Sequence, residues 1–427
     1  MLLEFRVKNF KSIRDEQVLS MIANKDKSHE ESHVADLGNG LRVLKSAVIY
    51  GANASGKSNL IDALFFMKLR VQINSFYANR PSVCPRFRLD AGSKNSSSEF
   101  EVTYMNEGIR YQYGFSLLGN RVGEEWLLVY KSDKPQEWFR RSVDTETGED
   151  VYRFSSYFKG QKRTWQASTR VDALFLSTAV ELNSEQLRPV YNWFLVNMGI
   201  FQSEPFPQSA DLLRLLANED YKKGILSFLS TADLGIRDVN ILVEKKAIPS
   251  FHPRKDNGDQ ESLAVEEGTV KEKVLVPVFS HMMEDGGVEL FELNDESHGT
   301  QRLFELSFHM LNSVKIGGAM IIDELESALH PLLIRHIISL FNSTQNVNGA
   351  QLIFSTHDAG LLDTEIFRRD QIWFVEKDAS QATVLYPLTD FSPRKNEALE
   401  SGYLSGRYGA IPFLSDFDID RLIGDGA

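Results

Sequence analysis

The chain has 427 residues, 42% of them hydrophobic and 25% charged, which is the balance of a globular protein large enough for two or three domains. Its formal net charge of −12 excludes a surface that is basic throughout, so any nucleic-acid contact must be a local patch or a partner's task. The single cysteine, Cys84, excludes an internal disulfide framework and a multi-thiolate metal site, and it favours a reducing, cytoplasmic setting.

The N-terminal stretch MLLEFRVKNFKSI alternates apolar and charged residues. This alternation predicts a strand rather than a signal peptide, because it contains no apolar run with a cleavage site. No stretch of the sequence is apolar over the length that a transmembrane helix needs, so we expect no membrane contact.

A phosphate-binding loop is predicted at residues 46–67. A β-rich run at 47–50 is followed by GANASGKS, a complete G-x-x-x-x-G-K-[ST] pattern, and then by apolar residues at helical spacing. In such a loop the backbone N–H groups cradle phosphates, Lys57 reaches the β- and γ-phosphates, and Ser58 binds Mg²⁺. An ordinary glycine turn before a helix is the alternative. The predicted nucleotide-binding residues are Gly51, Asn53, Ala54, Ser55, Gly56, Lys57, Ser58 and Asn59.

The next part of the chain, up to about residue 180, alternates apolar and polar residues between turn signals, which predicts an antiparallel sheet. Residues 181–246 show helical periodicity in NWFLVNMG, ADLLRLLAN and YKKGILSFL, so we expect a mostly helical insertion. Sustained heptads are absent, so no long coiled coil is expected. The polar stretch from 250 to 274 predicts a loop or a hairpin.

The segment NDESHGTQRLFELSFHML, residues 294–311, opens polar and then becomes amphipathic, which predicts the start of a helix. A helix cap needs one Ser, Thr, Asp or Asn, and Ser297 or Thr300 would suffice. Capping therefore leaves the other polar residues unexplained.

Two later strands are predicted to end in side chains that could bind a metal ion or transfer a proton. Ala319–Ile322 leads into Asp323, which would bind Mg²⁺, and Glu324, which would act as general base on water. The alternative is an acidic cap on the helix that follows. The run QLIFST leads into His357, at the strand end where open α/β sheets bind ligands.

Together these motifs, in this order, resemble those of the ABC-type ATPases, and more narrowly the SMC/RecF-like branch. The resemblance implies an α/β fold, a P-loop NTPase head with an antiparallel β-subdomain and a mostly helical insertion. It also implies three regions: 1–180 as a first lobe with Walker A and the β-subdomain, 181–285 as the insertion, and 286–427 as a second lobe with signature motif, Walker B and switch histidine.

The same resemblance accounts for the surplus polar residues at 297–301. They are similar to the signature motif, which serves the nucleotide bound by a second protomer, so that two chains sandwich two ATP molecules. Ser297 and Gly299 would then contact the γ-phosphate in trans, while His298 stands where many relatives carry glycine. By resemblance His357 is catalytic together with Glu324 and Lys57. Lys11 would approach the nucleotide, although a solvated strand end is equally consistent with its pattern.

Further segments resemble the ATPases of bacterial abortive-infection and phage-defence systems; these are PRFRLD, YQYGFSLLGNRVGEEWLLVY, ALFLST, RRDQIWFVEKD and SGRYGAIPF. This resemblance implies a switch that uses ATP and Mg²⁺, forms a homodimer or higher oligomer, and controls a separately encoded nuclease or toxin. Two alternatives remain open: a nucleotide-occupied scaffold or sensor with little turnover, and a RecF-like DNA-repair ATPase.

Four further patterns in the sequence are weaker indicators of function. HEESH at 29–33 has the H-E-x-x-H zinc spacing, but its polar flanks favour a solvated loop. DFDID at 416–420 resembles a nuclease acid cluster without the rest of such a fold. Basic and aromatic residues between 139 and 165 could contact nucleic acid, although charged hairpin edges are the better interpretation. Gln166 and Gln186 are weak candidates for the glutamine that many relatives place near the metal.

Overall fold

The structure, a computed structural model, describes residues 1–73, 83–202, 213–232, 235–255, 261–394 and 397–412, and for 245–255 and 261–273 it describes the backbone alone. The DFDID cluster at 416–420 lies outside the described residues. The chain divides into two compact units. The first comprises Met1–Ser203, Ser313–Ser327 and Ile334–Ala427, and the second comprises Glu204–Asn312 and Ala328–Leu333.

The strands are numbered in chain order. They are β1 Leu2–Lys8, β2 Gln17–Ser20, β3 Val34–Asp36, β4 Arg42–Leu44, β5 Ser46–Tyr50, β6 Ser98–Asn106, β7 Ile109–Leu118, β8 Arg121–Tyr130, β9 Gln136–Val143, β10 Asp150–Phe154, β11 Met198–Phe201, β12 Ile236–Lys255, β13 Glu261–Met282, β14 Val288–Glu292, β15 Ala319–Ile322, β16 Gln351–Ser355, β17 Ile372–Lys377 and β18 Thr383–Pro387.

The α-helices follow the same order along the chain. They are α1 Glu30–His33, α2 Lys57–Gln72, α3 Lys162–Ser168, α4 Phe175–Glu181, α5 Arg188–Asn192, α6 Glu219–Ser230, α7 His298–Ile316, α8 Pro331–Phe341 and α9 Leu399–Leu404. Within the described ranges, no helix combines the length and the apolar character needed to cross a bilayer.

An antiparallel sheet of seven strands occupies the first unit, in the order β10-β9-β8-β7-β6-β1-β2. Its strands alternate buried and more exposed residues, as the twofold period of a strand requires. On β6 the inward residues are Phe100, Val102 and Tyr104, all fully buried. This sheet confirms the antiparallel subdomain predicted from the turn signals.

A second sheet of the first unit has the order β11-β15-β16-β5-β17-β18, and all its pairs are parallel except β17 with β18. Residues of β5, β15 and β16 are buried along their whole length, which is typical of parallel strands covered on both faces. Because parallel strands share a direction, their carboxyl ends lie on the same side of the sheet. The candidate site is formed there, by the segments that follow β5, β11, β15 and β16.

Helix α2 anchors the phosphate loop in the core of the first unit. Its residues Leu60, Leu64 and Met67 are buried and belong to the same apolar cluster as Phe5 of β1 and Ile49 of β5. The helix packs on both sheets, so the loop at its N-terminus has a fixed position.

In the second unit, strands β12, β13 and β14 form a three-stranded antiparallel sheet. Phe279 of β13 packs edge-to-face on Phe304 of α7, with ring centroids 4.9 Å apart. The hairpin expected around 250–274 is confirmed, because β12 and β13 pair over most of their length. The expectation of a mostly helical insertion is wrong for the part after residue 235. There, β-branched residues such as Ile241 and Val243 pair with β13, and the segments with helical periodicity, the last of which ends at residue 229, do not extend into this strand.

Candidate functional site

The phosphate loop has the predicted order of strand, glycine loop and helix, since β5 ends at Tyr50 and α2 begins at Lys57. A Cβ on Gly51 would lie 2.4 Å from the backbone oxygen of Val375, so no larger residue fits there. Gly56 has a φ of +113° and a Cβ on it would lie 2.1 Å from Thr383 Oγ1, which requires glycine for two reasons. Asn53, Ala54 and Ser58 are exposed, so the loop is open to a ligand.

Lys57 folds back over this loop. Its Nζ donates to the backbone oxygens of Gly51 at 2.8 Å and Ala52 at 3.2 Å, and the residue is only 5% exposed. Burial lowers the pKa of Lys57 to about 8, although Asp323 and Glu324 act in the opposite direction. The ammonium is therefore held beside the loop in a position where a phosphate could replace the two carbonyl contacts.

This lowered pKa leads to a pH prediction. An incoming triphosphate favours the charged lysine, so binding above about pH 8 must first add a proton to Lys57. Below this pKa the lysine is already charged and affinity is at its plateau. Above it, the Kd for nucleotide is expected to rise about tenfold per pH unit, up to the higher pKa of the complex.

Calorimetric titrations across this range, in buffers of different ionisation enthalpy, measure both the Kd and the proton uptake. Lys57→Arg is the matched control, because a guanidinium stays charged and its complex should show a flat profile. A flat profile in the wild-type protein would contradict the prediction.

The acidic strand end is built around one serine hydroxyl. Ser355 Oγ donates to Asp323 Oδ1 at 2.5 Å and accepts from the backbone N–H of Glu324 at 2.8 Å. Asp323 is 6% exposed, whereas the Glu324 side chain is 41% exposed and its residue has a φ of +52°. The first carboxylate is thus fixed in place and the second is turned toward the accessible side.

His357 lies close to these carboxylates. Its Nε2 is 4.0 Å from Glu324 Oε1, and its backbone N–H donates to Glu326 Oε1 at 2.5 Å. Burial lowers the pKa of His357, with Lys57 acting in the same direction, so the imidazole is neutral at pH 7. Glu326 Oε2 is buried and has no hydrogen-bond partner among the residues that the structure describes.

Lys11 is placed near the start of α2. It has a φ of +48°, and its Nζ forms an ion pair with Asp62 of α2. Next to it, Ser12 Oγ accepts from Asn59 Nδ2 at 2.5 Å. The structure therefore places Lys11 beside the phosphate-loop helix, and its contact with a nucleotide stays a prediction.

Gln202 is a residue of this site that sequence reasoning did not find. It directly follows β11, whose last residue pairs with Ile322, and the backbone N–H of Asp323 donates to Phe201 O at 2.8 Å. Its Nε2 donates to Asp62 Oδ1 at 2.5 Å. The available signal was MGIFQ, a short apolar run ending in a polar residue, as in the two strands that lead to Asp323 and His357.

Gln166 and Gln186, the two weak candidates from the sequence, lie in other surroundings. Gln166 is a residue of the short helix α3, and Gln186 accepts from Lys159 N and donates to Tyr157 O. Neither glutamine lies at the carboxyl ends of the parallel strands, where the candidate site is.

The signature-like segment lies in the second unit, at the start of α7. Ser297 Oγ accepts from the backbone N–H of Thr300 at 3.1 Å, so Ser297 is the residue that caps the helix. Ser297 and His298 are exposed, and a Cβ on Gly299 would lie 2.9 Å from Ala328 O. The segment thus presents an exposed helix N-terminus, and the close approach of Ala328 O leaves no room for a side chain at Gly299.

Two of the weaker sequence patterns have structural explanations. The rings considered for stacking on nucleic acid are packed inside the first unit, where Phe139 and Trp165 are buried and Arg141 is paired with Asp150. β10 is an edge strand of the seven-stranded sheet, as predicted for this charged hairpin. The expectation of a solvated loop at 29–33 is wrong, because Glu30–His33 forms the short helix α1 and His33 is buried, with His29 Nε2 2.8 Å from Thr364 O and His33 Nδ1 2.8 Å from Gln371 Oε1.

Taken together, the loop, the acidic strand and the parallel sheet define a P-loop NTPase. The chain belongs to the family described as "AAA domain, putative AbiEii toxin, Type IV TA system", whose sequence profile matches residues 46–363. This match agrees with the resemblance to abortive-infection ATPases drawn from the motifs.

Solved structures similar to the chain include heads of SMC proteins. The SMC head domain from Thermotoga maritima is 14% identical, with 90% of this chain and 98% of that chain covered and a TM-score of 0.39. The Smc head with an extended coiled coil, bound to the C-terminal domain of ScpA derived from Pyrococcus furiosus, is 12% identical, with coverages of 91% and 97% and a TM-score of 0.43. No curated protein matches the chain in sequence.

Proposed function

We propose that the protein is an ATP-binding and ATP-hydrolysing switch that dimerises around nucleotide and controls a partner effector in anti-phage defence. The observation that carries this proposal is the convergence of Lys57, Asp323, Glu324 and His357 at one edge of the parallel sheet. The family description, which names a toxin and a toxin–antitoxin system, supports a defence setting and a separately encoded partner.

The side chains present suit a nucleotide and Mg²⁺. The buried ammonium of Lys57 already binds two oxygens of the loop, and Asn53, Ala54 and Ser58 of the loop are exposed to an incoming phosphate. Ser58 and Asp323 supply the oxygen ligands that Mg²⁺ prefers. When bound, the metal neutralises phosphate charge and orients the triphosphate.

Three residues have distinct roles in the proposed reaction. Lys57 holds the β- and γ-phosphates and stabilises the charge that moves during transfer. Glu324 accepts a proton from water, for which its exposed carboxylate is suitably placed. His357, neutral and 4.0 Å from Glu324, orients the water or the γ-phosphate by hydrogen bonding.

We assign the role of the glutamine near the metal to Gln202. Its position after β11 is next to Asp323, and its amide is held by Asp62 on the phosphate-loop helix. An amide at this point links the metal-binding strand end to α2, so it can respond to metal and nucleotide together.

Completion of the site requires a second chain in this proposal. The helix N-terminus at Ser297 and Gly299 would form an anion site, and the exposed Ser297 is available to a nucleotide held by another protomer. Two copies would then form an isologous dimer with two identical composite pockets.

A mixing experiment tests the composite pocket. Lys57→Ala and Ser297→Arg should each be inactive alone, because every pocket of each homodimer carries a lesion. In an equimolar mixture, phosphate release should recover to roughly a quarter of the wild-type rate, since half of the dimers are mixed and each has one intact pocket.

The control mixes Lys57→Ala with the double variant Lys57→Ala/Ser297→Arg, in which no pocket is intact. Light scattering with Mg-ATP measures dimer formation in the same samples. The proposal is contradicted if the first mixture is no more active than its control and wild type stays monomeric with Mg-ATP.

A further inference from the structure

A cavity of about 490 Å³ lies beside the first turn of α2. It is bounded by Lys11 and Ser12 after β1, by Asn59 of α2, by residues 85–89, and by Lys377 and Gln381 near the β17–β18 turn. This volume falls within the range of about 300–1,000 Å³ that is usual for small-molecule sites.

The lining of this cavity is strongly basic. Lys11, Arg86, Arg88 and Lys377 contribute to it, and no carboxylate does so among the described residues. Since the whole chain carries a formal charge of −12, four cations without an acid in one lining are a marked local reversal. Such a lining indicates an anionic ligand.

The four cations differ in how they are held. Lys11 is paired with Asp62, Arg86 Nη1 donates to Lys94 O at 2.5 Å, and Lys377 Nζ donates to Thr383 Oγ1 at 3.0 Å. Arg88 is exposed and forms no ion pair with any residue in the described ranges. Arg88 is therefore the cation whose charge is most available to a ligand.

The cavity adjoins the phosphate loop but is separate from its phosphate cradle. Asn59 and Ser12, which line it, bond to each other, and Thr383, which holds Lys377, also donates to Ser55 O of the loop. The β- and γ-phosphates are assigned to residues 51–58 and Lys57, none of which lines the cavity. An anion bound in the cavity is therefore distinct from the β- and γ-phosphates.

We propose that this cavity holds the nucleoside end of the bound nucleotide and selects nucleotides that carry an additional phosphate on the ribose. The inference rests on the proposed nucleotide site. Pro85 and Leu89 offer apolar contact to a base, while Arg88, with Arg86 and Lys377, binds the ribose phosphate. Single-stranded nucleic acid is disfavoured, because Phe87, the aromatic residue of the lining, is only 2% exposed and cannot stack on bases.

The test is competition against radiolabelled ATP in equilibrium dialysis without Mg²⁺, with ATP, 2′-phospho-ATP and 3′-phospho-ATP as unlabelled competitors. Wild type is expected to bind one of the ribose-phosphorylated forms at least about tenfold more tightly than ATP, as for one well-formed charged contact. Arg88→Gln should lose most of this preference but keep its ATP affinity within about twofold. Arg88→Lys should keep part of it.

Arg153→Gln is the matched control, because Arg153 is an exposed arginine on edge strand β10 and does not line the cavity. Equal affinity of wild type for all three nucleotides overturns the inference, and so does an Arg88→Gln variant that weakens ATP as much as the phosphorylated forms. Failure of ATP itself to bind would instead refute the proposed nucleotide site.

Discussion

Glu324→Gln is expected to lower the steady-state rate of phosphate release by about 10²–10⁴-fold while ATP binding persists. The amide keeps the size of the side chain but cannot accept a proton from water. Its backbone N–H still donates to Ser355 Oγ, so the strand end should keep its geometry. The variant should accumulate as an ATP-bound dimer, measured by light scattering with Mg-ATP and by the nucleotide retained per chain.

Glu326→Gln is the matched control for this change. Glu326 lies two residues further along, and an amide oxygen can still accept from the backbone N–H of His357. The steady-state rate of phosphate release by Glu326→Gln should stay within a few-fold of the wild-type rate. Rapid release by Glu324→Gln would refute the role assigned to Glu324, whereas slow release by a variant that binds ATP only as a monomer would refute the trapped dimer.

Lys57→Met is expected to abolish high-affinity nucleotide binding, with a loss of roughly 2–5 kcal/mol, as for removal of one partner of a buried charged contact. The methionine fills the same space beside the loop but offers no donor to the β- and γ-phosphates. Calorimetric titration with ATP measures the loss, and thermal unfolding by circular dichroism establishes that the variant is folded.

Lys68→Met provides a comparison from the same helix. Burial also lowers the pKa of Lys68 to about 8, and its Nζ donates to Met198 O at 2.5 Å rather than to the loop. Its nucleotide affinity should match that of wild type. Equal losses in both variants would mean that a buried lysine in α2 matters for folding and not for phosphate.

The local motifs of the site could be predicted because each lies within a few residues of a recognisable strand. Asp323 and His357 end short apolar runs, and Lys57 follows a glycine pattern that has few other structural uses. Such features depend on neighbouring residues alone, so the sequence carries them directly.

Features that depend on pairing between distant segments could not be predicted. Gln202 enters the site only because β11 pairs with β15, more than a hundred residues further along the chain. Likewise, the helical period seen in the insertion gives way to strand pairing after residue 235. The basic cavity also needs four segments that are distant in sequence, and nothing in any one of them indicates that they meet.

The hydroxyl of Ser355 connects several groups of the candidate site. It joins the Asp323 carboxylate to the backbone of Glu324, and its own strand continues within two residues to His357. A small displacement of that strand would therefore shift the Asp323 carboxylate, the backbone of Glu324 and the His357 imidazole together. In the proposed mechanism, detection of the terminal phosphate and readiness for cleavage would then be coupled through one hydroxyl group.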